Sequence, residues 1–500
     1  MSFTNTGILA GYYFVLVGLA FYGSHRFRLV LRHYRGRAAD PVAPPFAAAH
    51  PAVLVQLPIY NERFVVERLL EACAVMRWAG PLRIQLLDDS QDDTPSLAAP
   101  IVARLSRPGV EVMHVRRGSR AGFKAGALAE GMRLDAEHPE GAAPCIAIFD
   151  ADFVPPVDFL EKTVAHLNAP GVGLVQARWD HLNREESLLT RLQAIFLDGH
   201  FVLESAVRYR GGLFFNFNGT AGVWKREAIE QAGGWSGDTL TEDLDLSYRA
   251  LLKGWRFVFL AEVTAPAEVP ARMNDFKSQQ ARWTKGSIEV GRRILPALLR
   301  AKLPARVKLE AFIHLTNNLS YVFVVLLALL IVPSLEVRRE IGWLRLLWLD
   351  VPLFLTSSLS VGLFYLVSQR ELGRDWRRDV RLFPMMMSLG IGMAVGNAIG
   401  VVEALVGSAT PFFRTPKRGG AILGDRARRA LYRTRWRPAA LAESALTIYF
   451  ALAILGCVLE KAWVSIPFLV IFFTGFLYGS VFSVLPAPRL PASAPRAPAR

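Results

Sequence analysis

The stretch "IAIFDADFVPP", residues 146–156, decides how this chain is read. Four apolar residues run into Asp150 and Asp152, and the run stops at two prolines. A buried strand ending in two carboxylates fits this pattern, and open α/β sheets bind their ligands at the carboxyl ends of strands. Side chains two apart on an extended backbone share a face only approximately at a strand end, but a turn there brings both carboxylates to one divalent cation. Mg²⁺ or Mn²⁺ held by one or two carboxylates together with substrate phosphates is the usual arrangement for such hard cations. A solvated strand end is the alternative.

Composition sets the surroundings of that strand. The chain has 500 residues, of which 52% are hydrophobic, and this places part of it in a bilayer. Three cysteines, Cys73, Cys145 and Cys457, stand at neither metal nor disulfide spacing, so a reduced compartment fits and zinc does not. The net charge of +15 comes from arginines clustered beside apolar segments, without interleaved aromatics. Membrane lipid with anionic head groups is the expected partner, and nucleic acid is not.

The apolar segments are easily located. Residues 7–23, "GILAGYYFVLVGLAFYG", carry no charge and are followed by Arg26, Arg28, Arg32, Arg35 and Arg37. Positive charge behind the apolar run, where a signal peptide has it in front, predicts a retained transmembrane helix with the following chain cytoplasmic. Further spans are expected at 307–333, 349–369, 438–457 and 462–485, each long enough to cross roughly 30 Å of hydrocarbon. Residues 383–407 would also pass on hydropathy. Counting them as a span would put residues 412–437 outside, with nine Lys or Arg against one acid, so an interfacial helix is expected instead. Five spans result, one at 7–23 and four within a membrane region of 307–485, and the Pro-rich tail at 486–500 is expected to be cytoplasmic and disordered.

Between an Ala/Pro linker and the second span, about residues 45–300, apolar strands alternate with helical patterns, which predicts a parallel α/β sheet. In "AVLVQLPIYNER" a strand leads to Tyr60, Asn61 and Glu62, and in "LRIQLLDDSQDDT" a second ends at Asp88 and Asp89. Asn61, and Asp88 with Asp89 and Ser90, could equally be helix caps. "RRGSRAGFKAGAL" sets Lys124 among small residues at a helix start, a site for a diphosphate or simply a solvated lysine. In "TLTEDLDLSYRALLKGW" Thr239 and Glu242 have capping-box spacing. That leaves Asp243 in the first turn as a carboxylate able to accept the proton of a sugar hydroxyl. "QQARW" puts Gln279, Arg282 and Trp283 on one helix face, as an indole platform beside an arginine or as an ordinary amphipathic helix.

The order "YNE", "LLDDS", "GFKAGAL", "DAD", "FNFNGTAGVW", "TED" and "QQARW" resembles the processive family 2 glycosyltransferases of the cellulose synthase superfamily. "FNFNGTAGVW" followed by "AGGW" is most similar to the mannan synthase (glucomannan 4-β-mannosyltransferase) and xyloglucan-backbone glucan synthase branch. The resemblance implies a GT-A (Rossmann-like) cytoplasmic catalytic domain fused to a helical transmembrane domain. It implies that Tyr60, Glu62, one of Asp88 or Asp89, Lys124 and Asp150 hold the nucleotide, and that Asp150 and Asp152 hold the metal, Asp152 most directly. Asp243, beside Glu242, would be the general base. Gln279, Arg282 and Trp283 would hold the diphosphate and acceptor sugar, and Asn218 and Gly219 would line the acceptor entry. "FFRTPK", with Thr415 and Lys417, looks like the gating loop, at 411–437.

The implied activity is inverting, metal-dependent and processive. A hexose passes from GDP-mannose or UDP-glucose to a growing β-linked polysaccharide, which crosses the inner (plasma) membrane through the enzyme's own helices. A non-processive lipid glucosyltransferase of the ceramide type shares the core motifs, but a lipid acceptor needs no channel. A transporter or scaffold with a degenerate nucleotide fold would be expected to have lost Asp243 or the Asp-x-Asp pair. Relatives with two or more amino-terminal spans, or with a cyclic-dinucleotide-binding domain after the last span, leave regulation and accessory export partners open.

Overall fold

The computed structural model describes residues 3–36, 39–46, 49–342, 346–408 and 438–484. The expected gating loop, with Thr415 and Lys417, and the tail at 486–500 lie outside the described residues.

Among the described residues, seven strands form one sheet: β1 (Val53–Ile59), β2 (Leu82–Asp88), β3 (Val110–Arg116), β4 (Cys145–Ile148), β5 (Val172–His181), β6 (Gly222–Lys225) and β7 (Arg256–Ala267), in the order β3-β2-β1-β4-β6-β5-β7. Side-chain alternation along each strand separates two cores. On β1, Val53, Val55 and Leu57 meet Phe149, Phe159 and the Val66–Ala74 helix on one face. Leu54 shares the other face with Leu128, Ile146, Ile148 and Trp224. Strands buried on both sides explain why they read as unbroken apolar runs.

The alternation predicted a parallel sheet, and the sheet is mixed. β6 runs antiparallel to both β4 and β5, while β1, β2, β3 and β4 are mutually parallel and β5 pairs parallel with β7. The chain enters β6 from the carboxyl end of the sheet, where Ala221 N donates to Ile148 O at 2.8 Å. The loop "FNFNGTA" is thereby laid over the ends of β4 and β5. The strand order also reverses at β1, whose neighbours β2 and β4 connect outward in opposite directions, and such a switch point opens a crevice at the carboxyl ends.

Among the described residues, five helices are long and apolar enough to cross a membrane: Phe3–Arg35, Ala305–Ile341, Trp348–Glu371, Ala439–Leu459 and Trp463–Val481. The helix pair Phe383–Gly392 and Ala394–Val406 is bent by 43° and would be a sixth if read as one span. Its first half packs closely on the Ile466–Val484 helix. A Cβ added at Gly475 would stand 2.7 Å from Ser388 O, and one added at Gly392 would stand 2.6 Å from Gly475 O. Backbones approach this closely only where both residues are small.

Candidate active site

An open cavity of about 1340 Å³, solvent at its mouth included, lies at the carboxyl ends of β1 and β4. Tyr60, Glu62, Asp89, Lys124, Asp150, Asp152, Asn218, Gly219, Glu242, Asp243, Gln279, Arg282 and Trp283 all line it. Residues spread over more than 220 positions of sequence are thus brought to one wall-to-wall site. Asp88 is not among them. It is buried beneath the site, 2.8 Å from His114 Nε2, and also accepts from Ser90 N. These bonds hold its carboxyl below the ordinary range although burial opposes that. Of the two adjacent aspartates, Asp89 is the one at the cavity, held by a two-pronged contact from Arg117.

The "FNFNGTA" loop is stitched to the sheet at successive residues. Asn218 N donates to Gln176 Oε1 at 3.0 Å, Gly219 O accepts from Lys124 Nζ at 2.8 Å, and Thr220 Oγ1 accepts from Asp150 N at 2.9 Å. Gly219 has φ +82°, and a Cβ there would lie 2.9 Å from Asp243 Oδ2. Only glycine lets the loop and this carboxylate approach so closely.

Lys124 sits at the centre of the charges. Its Nζ is 2.5 Å from Asp150 Oδ1 and 3.9 Å from Glu242 Oε1. Burial disfavours its charge, but Asp150, Glu242 and Asp243 outweigh that and raise its pKa. Asp243 moves the other way from most carboxylates. Burial first and the Glu242 charge second push it up to about 7, against the pull of Lys124 and of the hydrogen bond from Leu244 N. A carboxyl poised there suits proton transfer near neutral pH. Across the cavity, burial lowers the pKa of Arg282, with Glu242, Asp150 and Asp243 acting in the opposite sense.

The capping box expected from Thr239 and Glu242 is absent. The helix is Glu242–Leu252, its cap position is Thr241, and neither threonine hydroxyl makes a hydrogen bond. The preceding turn is held from outside instead, with Leu240 N donating to Glu289 Oε2 at 3.0 Å. Glu242 is therefore released from a capping role and lines the cavity beside Asp243. Asn61 is not a cap either. It adopts φ +56° and its side chain accepts from Gln91 N, tying the ends of β1 and β2 together.

Gln279, Arg282 and Trp283 lie on the helix Met273–Arg300, which the membrane-region helices grip on both sides of that motif. Lys277 Nζ is 2.5 Å from Glu443 Oε2 and donates to Gly479 O. Lys285 Nζ is 3.1 Å from Glu403 Oε2 and donates to Ser408 O. Arg120 was missed by the sequence reading although it stands within the quoted "RRGSRAGFK". It lines the cavity, and its guanidinium carbon is 3.4 Å from the centroid of the Tyr60 ring. Trp179 and His181 at the end of β5 line it as well, and no motif marked them.

The donor chemistry of Asp150 and Asp152 fits Mg²⁺ or Mn²⁺ completed by phosphate oxygens. Both are hard oxygen ligands facing the cavity, and the described residues hold no cluster of three or more His, Cys, Asp or Glu that would form an all-protein cage.

A strand-end cavity pairing carboxylates with cations on this mixed sheet is the arrangement of the GT-A glycosyltransferase class. The sequence comparisons place it: the family description "Glycosyl transferase family group 2" matches residues 145–394 and "Glycosyl transferase family 2" matches residues 55–231. The chain belongs to glycosyltransferase family 2, and it is a glycosyltransferase. It is 35% identical over 396 residues to glucomannan 4-beta-mannosyltransferase 1 of Oryza sativa subsp. japonica, covering 75% of this chain and 71% of the relative. It is 34% identical over 338 residues to glucomannan 4-beta-mannosyltransferase 7 of Arabidopsis thaliana, covering 66% of this chain and 60% of the relative. The fold is similar to that of a mannosyltransferase from Pyrobaculum calidifontis solved with GDP-Man and Mn2+, with a TM-score of 0.52 at 18% identity, covering 80% of this chain and 100% of that one.

Proposed function

We propose that this glycosyltransferase is an inverting, processive synthase that builds a β-1,4-linked mannan from GDP-mannose and passes it through its membrane helices, with the catalytic domain on the cytoplasmic side of the plasma membrane. The observation that carries the reading is the convergence of Asp243, Arg282 and the Asp150–Lys124 pair on one cavity whose far wall is the helix gripped by the membrane region. The mannosyl donor is supported by the relatives' common activity. The orientation is supported by the arginines that follow the first apolar run.

In this reading Asp243 accepts the proton of the acceptor hydroxyl as its oxygen attacks the anomeric carbon. The bond from that carbon to the diphosphate breaks, and the bonding electrons leave with the diphosphate. One displacement from the opposite face inverts the configuration. Arg282 lies where it would meet the charge developing on the leaving group. A bound Mg²⁺ or Mn²⁺, held by Asp150 and Asp152, would supply Lewis-acid stabilisation of that diphosphate. Trp283 and Gln279 would orient the acceptor ring, and Tyr60, Glu62 and Asp89 the nucleotide.

The test supplies membranes containing the protein with GDP-mannose or UDP-glucose and Mg²⁺ or Mn²⁺, then digests the product with a mannanase or a cellulase. Mannanase-sensitive polymer from GDP-mannose is expected. Incorporation from UDP-glucose alone would overturn the donor, and a singly glycosylated lipid in place of polymer would overturn processivity.

A further inference from the structure

Beneath the acceptor-side loop lies a polar chain that the mechanism above does not use. Asn218 Nδ2 is 2.8 Å from His200 Nε2, and His200 Nδ1 is 3.1 Å from Glu204 Oε2. Glu204 in turn lies 3.5 Å from Arg208, whose Nε donates to Glu310 at 3.0 Å, and Glu310 meets His25 at 2.7 Å. The chain thus begins at the cavity and ends on the first apolar helix.

Its chemistry is directional. A carboxylate only accepts hydrogen bonds, so Glu204 requires the hydrogen of His200 on Nδ1. The Asn218 Nδ2 facing Nε2 at 2.8 Å completes this arrangement, with the NH₂ end of the amide donating to the ring nitrogen that carries no hydrogen. The amide is turned so that Oδ1 points away from the histidine, and that Oδ1 is buried with no hydrogen-bond partner. Asn218 lines the cavity on the same loop as Gly219, which abuts Asp243. That carbonyl oxygen lies just beneath the wall the residue lines, and the donor it lacks is one that a sugar hydroxyl pressed against the wall would supply.

Local backbone supports the same role. His200–Ser205 is a π-helix set between the α-helices Leu188–Gly199 and Ala206–Arg210. Such an insertion changes which side chains face a neighbouring element and recurs at functional sites. Here it begins at the histidine that reaches the loop.

We propose that His200 is a positioning residue of the acceptor site: held by Glu204, it locks the Asn218 amide in the one orientation that presents Oδ1 to a hydroxyl of the sugar acceptor. The proposal rests on the reading of this cavity as a sugar-transfer site.

The test is a double-mutant cycle on the purified full chain in lipid nanodiscs, with GDP-mannose, Mn²⁺ and mannotetraose. His200→Leu should raise the acceptor KM roughly three- to tenfold, the range expected for one misdirected neutral hydrogen bond, with the donor KM unmoved. His200→Asn, which can keep the Glu204 contact but loses the acceptor at the Nε2 position, should behave similarly and covers the case that the leucine variant folds poorly. His200→Gln places an oxygen near the Nε2 position and should restore most of the affinity. In an Asn218→Ala background, His200→Leu should add less than about twofold, since its route is already cut. Equal costs in both backgrounds, or no change of acceptor KM in either variant, would overturn the proposal. If wild-type protein extended cellotetraose from UDP-glucose and not mannotetraose, the donor assignment would fall, and the same cycle on that pair would still decide the role of His200.

Discussion

Lys124 Nζ stands 2.5 Å from Asp150 Oδ1, so the lysine expected near the nucleotide is bonded to one of the two candidate metal carboxylates. It is also one of the groups that pull Asp243 down. Lys124→Met removes that pull, so the Asp243 carboxyl should ionise at higher pH. The acid limb of the pH–rate profile for kcat/KM is expected to move upward. A limb that stayed in place or moved toward acid would contradict the electrostatic role given to this lysine.

Asp243→Asn should cut transfer by roughly 10² to 10⁴, the usual worth of a general base. It should also stabilise the fold. A carboxyl whose folded pKa is raised to about 7 makes folding less favourable as pH rises above the ordinary carboxylate range, and the penalty is complete above the folded value. The variant's Tm should therefore exceed wild type at pH 8, and the difference should vanish near pH 4. Polymer made at a rate within about threefold of wild type would remove Asp243 from the reaction.

Arg120 stacks over the Tyr60 ring at the part of the cavity proposed to hold the nucleotide. Arg120→Ala should weaken GDP binding in the presence of Mn²⁺ by about two- to thirtyfold, as read by calorimetry. Unchanged affinity with a lowered Tm would assign the pair to structure alone.

The close packing of Gly475 against Ser388 O gives a prediction for the membrane region. Gly475→Leu must push the two helices apart, at a cost of about 1–3 kcal/mol or more. A fall in Tm of several degrees in detergent is expected, and an unchanged Tm would mean that the helices do not meet this way.

Much of this site was legible because its residues obey local rules. Apolar runs that end in Asp150 and Asp152 or in Tyr60 and Glu62 mark strand ends wherever they occur, and i, i+3, i+4 spacing placed Gln279, Arg282 and Trp283 on one face. What failed depended on distant partners. Asp88 and Asp89 look alike until His114 on β3 claims one of them. Thr239 has the spacing of a cap, but Glu289 from another helix holds that turn. The reversed β6 is as apolar as a parallel strand, and only its entry from the site end sets its direction. His200 lies in a stretch whose α-helical periodicity is broken by a π-turn, so no helical wheel would aim it at Asn218.

The grip of Glu443 and Glu403 on Lys277 and Lys285 moves the seam of this enzyme. Reading by composition cuts the chain near residue 300, at the last polar residues before the apolar spans return. The charges divide it earlier, ahead of Met273, because the helix that follows has its lysines matched to acids beyond the sheet. A hybrid that joined this sheet to a relative's membrane helices at residue 300 would strand both lysines against unfamiliar surfaces. One joined before Met273 would keep each lysine with its acid, and Gln279, Arg282 and Trp283 would be inherited with the membrane half.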